Sequence, residues 1–226
     1  MGKTLLLDIE GTVCPISFVK DILFPYFVSQ VPKLISQRGS NDEKIDGILK
    51  SFEIKESEQL KNHILDLVAR DIKDSKLKSL QGFVWQNGYM DGSIKAPIYK
   101  DAINLISNPD NNVYIYSSGS VKAQKLLFQY ACDIDDLERK PINLIPFIKG
   151  YFDITTSGPK IESQSYKNIL KDINIQGEDI LFLSDNPLEL DAARKCNIDV
   201  GLALRPGNYP VANKSDYPNY TTFTNL

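Results

Sequence analysis

The sequence predicts an α/β protein: a doubly wound parallel sheet with a block of helices inserted after its first strand. Three observations carry that expectation. The segment "KTLLLDIEGTV", residues 3–13, is a short apolar run that stops on two carboxylates and a glycine. Residues 16–95 then show helical patterns and no convincing strand. Beyond them, strand-like and helix-like segments alternate, the pattern of parallel strands joined by right-handed crossovers.

The opening run reads as a strand covered on both faces, because Leu5, Leu6 and Leu7 show no alternation. Residues i and i+2 of an extended segment point the same way, so Asp8 and Glu10 project together past the strand end. In the block that follows, "FVKDILFPYFVSQVPKLISQRG" has helical spacing that Pro25 and Pro32 are expected to interrupt and Gly39 to stop. "DEKIDGILKSF", "ESEQLKNHILDLVARDIKD" and "KLKSLQGFVWQNGYMDG" continue as amphipathic helices. Leu60, Ile64, Leu67 and Val68 form a stripe at helical spacing that reads as core. At about eighty residues the block exceeds an ordinary connection. The expected division is therefore a core of residues 1–15 and 96–226 and a helical insertion of residues 16–95.

In the second part, "APIYKDAINLIS" reads as a helix with Pro97 in its first turn. "NNVYIYSSGS" is a strand with a small polar tip, "VKAQKLLFQYA" a helix, and "GYFDITTSGPK" a short strand and loop. "ESQSYKNILKDIN" is a helix, "EDILFLSDN" a strand, "PLELDAARKCN" a helix, and "IDVGLALRPGN" a closing strand and turn. The tail from Tyr209, rich in Asn, Tyr and Thr, is expected to lie over the surface.

Composition narrows the function classes. The chain has 226 residues, 42% hydrophobic and 24% charged, which suits a globular protein with a sizeable core. A net charge of -3 gives no basic excess, so no nucleic acid partner is expected. His63 is the only histidine, which argues against a histidine-rich zinc site or a Ser-His triad. It lies in a helical stretch where packing or exposure is the expected role. Cys14, Cys132 and Cys196 are far apart and suit a reducing compartment. No apolar run has membrane-span length, so no membrane partner is expected, and Asp8 and Glu10 interrupt any signal sequence too early. Gly2 raises the question of myristoylation, but Leu6 stands where that motif needs Ser or Thr. The expectation is a cytosolic monomer, with nuclear entry left open.

Three strand ends carry the chemistry. The first bears Asp8 and Glu10, the second Ser117 and Ser118, and the last Ser184 and Asp185. In a doubly wound sheet these ends share one edge and one crevice. Lys160 follows a further short strand through "TTSGPK". Three acids, paired hydroxyls and one ammonium are the inventory of a magnesium-dependent phosphoryl site. Carboxylates hold a hard cation, hydroxyls, amides and a lysine take phosphate oxygens, and a carboxylate can attack phosphorus to give an aspartyl phosphate. Gly11 and Gly119 would let backbone amides approach an anion. Each signal has a plainer alternative. Ser117-Ser118-Gly119 could simply cap the next helix, Lys160 could be a surface lysine, and Asp185-Asn186-Pro187 could open a proline-started helix.

The segments "LLLDIEGTV", "VYIYSSGS", "SGPK" and "LFLSDN" resemble, in order, the four motifs of the haloacid dehalogenase-like hydrolase superfamily. The resemblance spans residues 3 to about 208 and places the helical insertion where those enzymes carry a cap on a Rossmann-like core. "DIEGT", "VYIYSSGSVKAQKLLF" and "ALRPGN" are further similar to the enolase-phosphatase family of methionine salvage. The resemblance implies one Mg2+ per subunit and a small phosphorylated metabolite as substrate. It implies Asp8 as nucleophile and metal ligand, and Glu10 as donor of a backbone carbonyl to the metal and as the acid or base position. Most phosphatases of the superfamily have Asp there; the longer Glu puts its proton transfer in question, and the enolase-phosphatases share it. Ser117 and Ser118 match the substrate-binding pair, Lys160 the phosphate-stabilising lysine and Asp185 the metal acid. Glu189, one turn past Asp185, could support the metal shell, although a solvated helix face is the expected reading.

The function implied is enolisation of 2,3-diketo-5-methylthiopentyl-1-phosphate followed by hydrolysis of its phosphate, giving the acireductone 1,2-dihydroxy-3-keto-5-methylthiopentene. A magnesium-dependent phosphatase of the same superfamily acting on another small metabolite is the alternative. A dehalogenase does not need the metal acids, and an inactive interaction domain has no physical need for Asp8, Lys160 and Asp185 together.

Overall fold

The computed structural model describes residues 3–39, 43–72 and 74–226. Gly2, Asp42 and Lys73, on which the myristoylation question and the edges of two helical patterns fall, lie outside the described residues. The chain divides into two compact units, one of residues 1–18 and 95–226 and one of residues 19–94.

The larger unit is built on six parallel strands: β1 (Thr4–Leu7), β3 (Asn112–Tyr116), β5 (Ile148–Phe152), β6 (Ile180–Ser184), β7 (Asp199–Ala203) and β8 (Asn219–Tyr220). Their order across the sheet is β5-β3-β1-β6-β7-β8, with every pairing parallel. β1 therefore lies between strands reached by chain runs of opposite direction, which makes its carboxyl end the switch point of a doubly wound sheet. Leu5, Leu6 and Leu7 are at most 1% exposed, as a strand covered on both faces requires. Leu7 pairs with Ile115 on one side and Leu183 on the other. Asp8 is thus level with Tyr116 and Ser184, and its amide adds one more ladder bond, to the Leu183 carbonyl at 2.9 Å.

The connections are α5 (Lys100–Ser107), α6 (Val121–Gln129), α7 (Ser163–Ile173) and α8 (Pro187–Arg194). A core of Leu6, Tyr116, Phe152, Tyr166, Phe182 and Leu190 joins the sheet to α7 and α8. Two further strands, β2 (Ala96–Ile98) and β4 (Ala131–Asp133), form a separate parallel pair. The segment "API" is therefore a strand and not the first helical turn. The residue before a proline is pushed toward extended backbone, and Pro97, lacking an N–H, suits an edge strand. The helix starts only at Lys100.

The tail also departs from expectation. Asn219 and Tyr220 pair with Leu202 and Ala203, and Tyr217 and Phe223 are buried. Its polar composition hid two aromatic anchors.

The smaller unit opens with a π-helical turn at Val19–Leu23 and contains α1 (Phe24–Ser36), α2 (Glu43–Ser51), α3 (Ser57–Ala69) and α4 (Ser75–Met90). Phe27, Val31, Leu49, Leu60, Ile64, Leu67 and Leu80 form its core, with Val68 partly buried against it. Pro32 lies inside α1 and does not end it. It sits on the exposed face, and Val28, whose carbonyl loses its partner there, is exposed too, so water can satisfy that group. His63 is exposed beside the Phe52 ring.

Candidate functional site

The loop after β1 curls tightly. The Ile9 carbonyl accepts from the amides of Thr12, Val13 and Cys14 at 3.2, 2.9 and 3.0 Å, and the Gly11 amide donates to the Cys14 carbonyl at 2.9 Å. Gly11 has φ +72, and a Cβ there would lie 2.5 Å from Asp185 Oδ2 and 2.9 Å from Asn208 Oδ1. Only glycine permits both the left-handed backbone and the approach of those two oxygens.

Asp8, Glu10, Ser117, Ser118, Lys160 and Asp185 all line one crevice of about 680 Å³ at the carboxyl edge of the sheet. A larger crevice of about 940 Å³ lies at the opposite strand ends, but its charged residues, Lys3, Glu178, Asp179, Arg194 and Asp199, are all exposed to solvent. The smaller one holds buried charged groups. Asp8 and Lys160 are both buried there. The Lys160 ammonium donates to Asp8 Oδ1, lies 2.7 Å from Glu189 Oε2, and sits over the Tyr116 ring at 5.7 Å from its centroid. Burial by itself would push the Lys160 pKa down, but the Asp8 and Glu189 charges outweigh it and hold it above the usual lysine value.

Glu189 is 8% exposed, so the solvated helix face expected from sequence is not what it occupies. One helical turn from Asp185 brings it inward. There it accepts from Ser184 Oγ at 2.8 Å as well as binding Lys160. Burial and the Asp8 charge push its carboxyl up, against Lys160 and Ser184. The Asp185 carboxyl is pushed up to about 7 by burial, with Asp8 and Glu189 adding to the effect. Cys14, wholly buried beside these acids, has its thiol pushed well above the usual value by burial and by Glu10, Asp8 and Asp185. It is therefore no nucleophile.

The segment after β3 that carries Ser117 and Ser118 is held from behind. Asp153 Oδ2 accepts from the Val121 amide at the start of α6, and its Oδ1 accepts from Thr155 and Thr156 amides. Gln124 Nε2 donates to the carbonyls of Gly119 and Phe152, both at 2.8 Å. Ser120, rather than Ser117 or Ser118, is the side-chain cap of α6. That leaves Ser118 exposed beside the positive end of the helix. Ser117 is buried and accepts from the Gly119 amide through Oγ at 3.3 Å. Asn186 caps α8 through its bond from the Leu188 amide, so capping and the acid at Asp185 coexist.

Lys160 is held in the same way. Four consecutive carbonyls, of residues 157–160, each accept from a side chain: Asn168 Nδ2 at 2.9 Å, Tyr116 OH at 2.6 Å, Ser165 Oγ at 2.7 Å and Tyr166 OH at 2.8 Å. From the other side, Asn208 Nδ2 donates to the Gly11 carbonyl at 2.8 Å and Arg205 Nε to the Thr12 carbonyl at 2.9 Å. Sequence reasoning noticed "ALRPGN" only as a likeness. It did not find that Arg205 and Asn208 clamp the loop after Asp8, and nothing in their spacing announces it.

The donors fit a hard cation. Among the described residues no three His, Cys, Asp or Glu side chains gather to hold a metal by themselves. The set expected from the resemblance, Asp8, Asp185 and the Glu10 backbone carbonyl, counts only two carboxylates. Asn208 Oδ1 is buried without a protein partner and converges with Asp185 Oδ2 over Gly11. An all-oxygen, anion-crowded cradle of this kind suits magnesium chemistry.

No family model matches the chain. It is 56% identical over 224 residues to "Enolase-phosphatase E1" of Saccharomyces cerevisiae (strain YJM789), covering 99% of this chain and 98% of that protein. The crystal structure of UTR4 protein from Saccharomyces cerevisiae is similar over 100% of both chains, with a TM-score of 0.95 and 55% identity. The putative HAD-hydrolase YfnB from Bacillus subtilis, bound to magnesium, has a TM-score of 0.58 at 14% identity over 100% of this chain and 99% of that one, a likeness of fold alone.

Proposed function

This chain belongs to the enolase-phosphatase E1 family of haloacid dehalogenase-like hydrolases, and on that premise we propose that the crevice at β1, β3 and β6 performs both half-reactions. The substrate is 2,3-diketo-5-methylthiopentyl-1-phosphate and the products are the acireductone and inorganic phosphate, a step of methionine salvage. The observation that carries the reading is the buried contact of the Lys160 ammonium with Asp8. It orients the carboxylate while leaving the same ammonium at the place where phosphoryl oxygens gather charge.

In this reading the other Asp8 oxygen attacks phosphorus, and the aspartyl phosphate that forms is then hydrolysed. Ser117, Ser118 and the amides at the start of α6 bind the phosphate. Lys160 stabilises its oxygens in ground and transition states alike. Glu10 is assigned proton transfer with the leaving oxygen. Asp8, Asp185 and the Glu10 carbonyl would hold one Mg2+ per subunit, which supplies charge neutralisation at phosphorus and polarises the ketone during enolisation. The helical unit of residues 19–94 occupies the chain position of the family's cap, and we assign it that role.

An Asp8→Asn variant tests the division of labour. The amide keeps the shape but cannot form the acyl phosphate, so phosphate release should fall by at least a thousandfold, on the order expected for loss of a nucleophile. Enolisation should persist, seen as growing ultraviolet absorbance of the conjugated enol phosphate. Phosphate release at the wild-type rate would remove Asp8 from the nucleophile's role.

A further inference from the structure

Resting on the enolase-phosphatase reading, we propose that Ile16, Leu188, Tyr209 and Val211 form the subsite for the apolar methylthio end of the substrate and determine which phosphorylated diketone is accepted.

The crevice mixes two kinds of lining. Asp8, Ser117, Lys160 and Asp185 supply charge and a hydroxyl, and Ile16, Leu188, Tyr209 and Val211 supply apolar surface. Among the described residues, the larger unit exposes four large apolar side chains: Phe147, Ile161, Leu188 and Tyr209. Apolar residues scattered singly over a surface are ordinary. Phe147 stands apart, but the other three are not scattered: Leu188 and Tyr209, 63% and 76% exposed, line the crevice, and Ile161 directly follows Lys160. Folding gains nothing from holding them in water at the catalytic edge, whereas ligand binding does.

The wall is also preorganised. Leu188 stands in the first turn of α8, which Asn186 caps. Tyr209 and Val211 follow Asn208, whose Nδ2 is tied to the carbonyls of Gly11 and Ala203. Val211 packs against the main core. An occupant with both a charged and an apolar part fits such a lining. The diketone phosphate has that polarity, with phosphate on its first carbon and a thioether roughly 8–10 Å away when extended. A polarisable sulphur makes favourable contacts with an aromatic ring, which Tyr209 supplies.

The test compares two substrates that share every reacting atom: the full diketone phosphate and 2,3-diketobutyl-1-phosphate, which lacks the methylthio arm. Wild-type kcat/KM should favour the full substrate by ~10- to 100-fold, the usual range for a small apolar increment. In the Leu188→Ser/Tyr209→Ala double variant that preference should shrink to about threefold or less, through the full substrate alone, with the truncated one unchanged. Both positions are exposed, so folding is not at stake, and unchanged thermal unfolding checks it. Equal losses on both substrates would overturn the proposal, because the residues would then act on the reaction centre or on closure. No loss on either would overturn it as well. A wild-type protein that hydrolyses other phosphates but neither diketone would overturn the functional reading and this subsite with it, an outcome distinct from the first two.

Discussion

Gly11 shows how much one missing Cβ controls. Its φ of +72 and the 2.5 Å separation that a Cβ would have from Asp185 Oδ2 make Gly11→Ala costly in two ways. The left-handed backbone alone costs about 1–3 kcal/mol for a side-chain-bearing residue, and Asp185 must move. The expected result is a lower urea midpoint together with weaker magnesium binding by calorimetry, the second exceeding the effect of any loop glycine outside the crevice. Unchanged magnesium affinity would mean that Asp185 relocates without consequence. Glu189 teaches the complementary lesson. Its position one turn after Asp185 was legible, but its inward aim toward Lys160 and Ser184 depends on how α8 packs against β6.

Among the elements, the segment 157–160 has no ladder of its own, yet its four carbonyls are bonded to side chains of β3 and α7. Burial pushes the Tyr116 hydroxyl up to about 12 and holds Tyr166 higher still, so both remain protonated donors at neutral pH. Tyr166→Phe should leave the Lys160 carbonyl unpaired in a buried place, at a cost of about 1–3 kcal/mol. Denaturant titration measures that cost. Phosphate release should slow severalfold as well, because the same bond fixes the lysine's backbone. A stability loss with wild-type turnover would show that Lys160 is held by its ion pairs alone. The order of β3, β5, β6 and β7 and the helices between them was readable from alternation, whereas β2, β4 and β8 were not. The four anchors were not, since Asn168, Ser165 and Tyr166 read in sequence as ordinary positions of an amphipathic helix.

For the molecule as a whole, Arg205 links distant parts of the larger unit. Its guanidinium bonds Asp101 at 2.8 and 3.2 Å and the Thr221 carbonyl at 3.1 Å, and stacks on Phe223 and Tyr99. Asp101 also accepts from the Phe223 amide. Burial raises the Asp101 pKa, but the bonds from Arg205 and Phe223 outweigh it and leave it below the usual 3.8. A carboxyl depressed in the folded state stabilises fully above its unfolded value and loses that contribution as pH falls through its folded value. The stability difference between wild type and Asp101→Asn should therefore be constant from neutral pH down to about 5 and shrink below about 4. A gap that stayed constant to pH 2 would show that the network does not depend on the Asp101 charge.

The sequence by itself determined the parallel α/β order, because strand and helix periodicities are local properties of consecutive residues. It also brought Asp8, Ser117, Ser118, Lys160 and Asp185 to notice, because chemistry at strand ends of a doubly wound sheet follows from topology. What only the tertiary structure decided was everything that depends on contacts between residues far apart in the chain. The strand at Ala96–Ile98 exists because Ala131–Asp133 lies beside it. The tail is anchored because Arg205 receives Phe223. Glu189 is buried because Lys160, 29 positions earlier by its number, brings an ammonium to it. A local pattern records which way a side chain can point along its own element. Whether a partner waits there is settled only when elements pack, since burying a charge is tolerable only against its opposite.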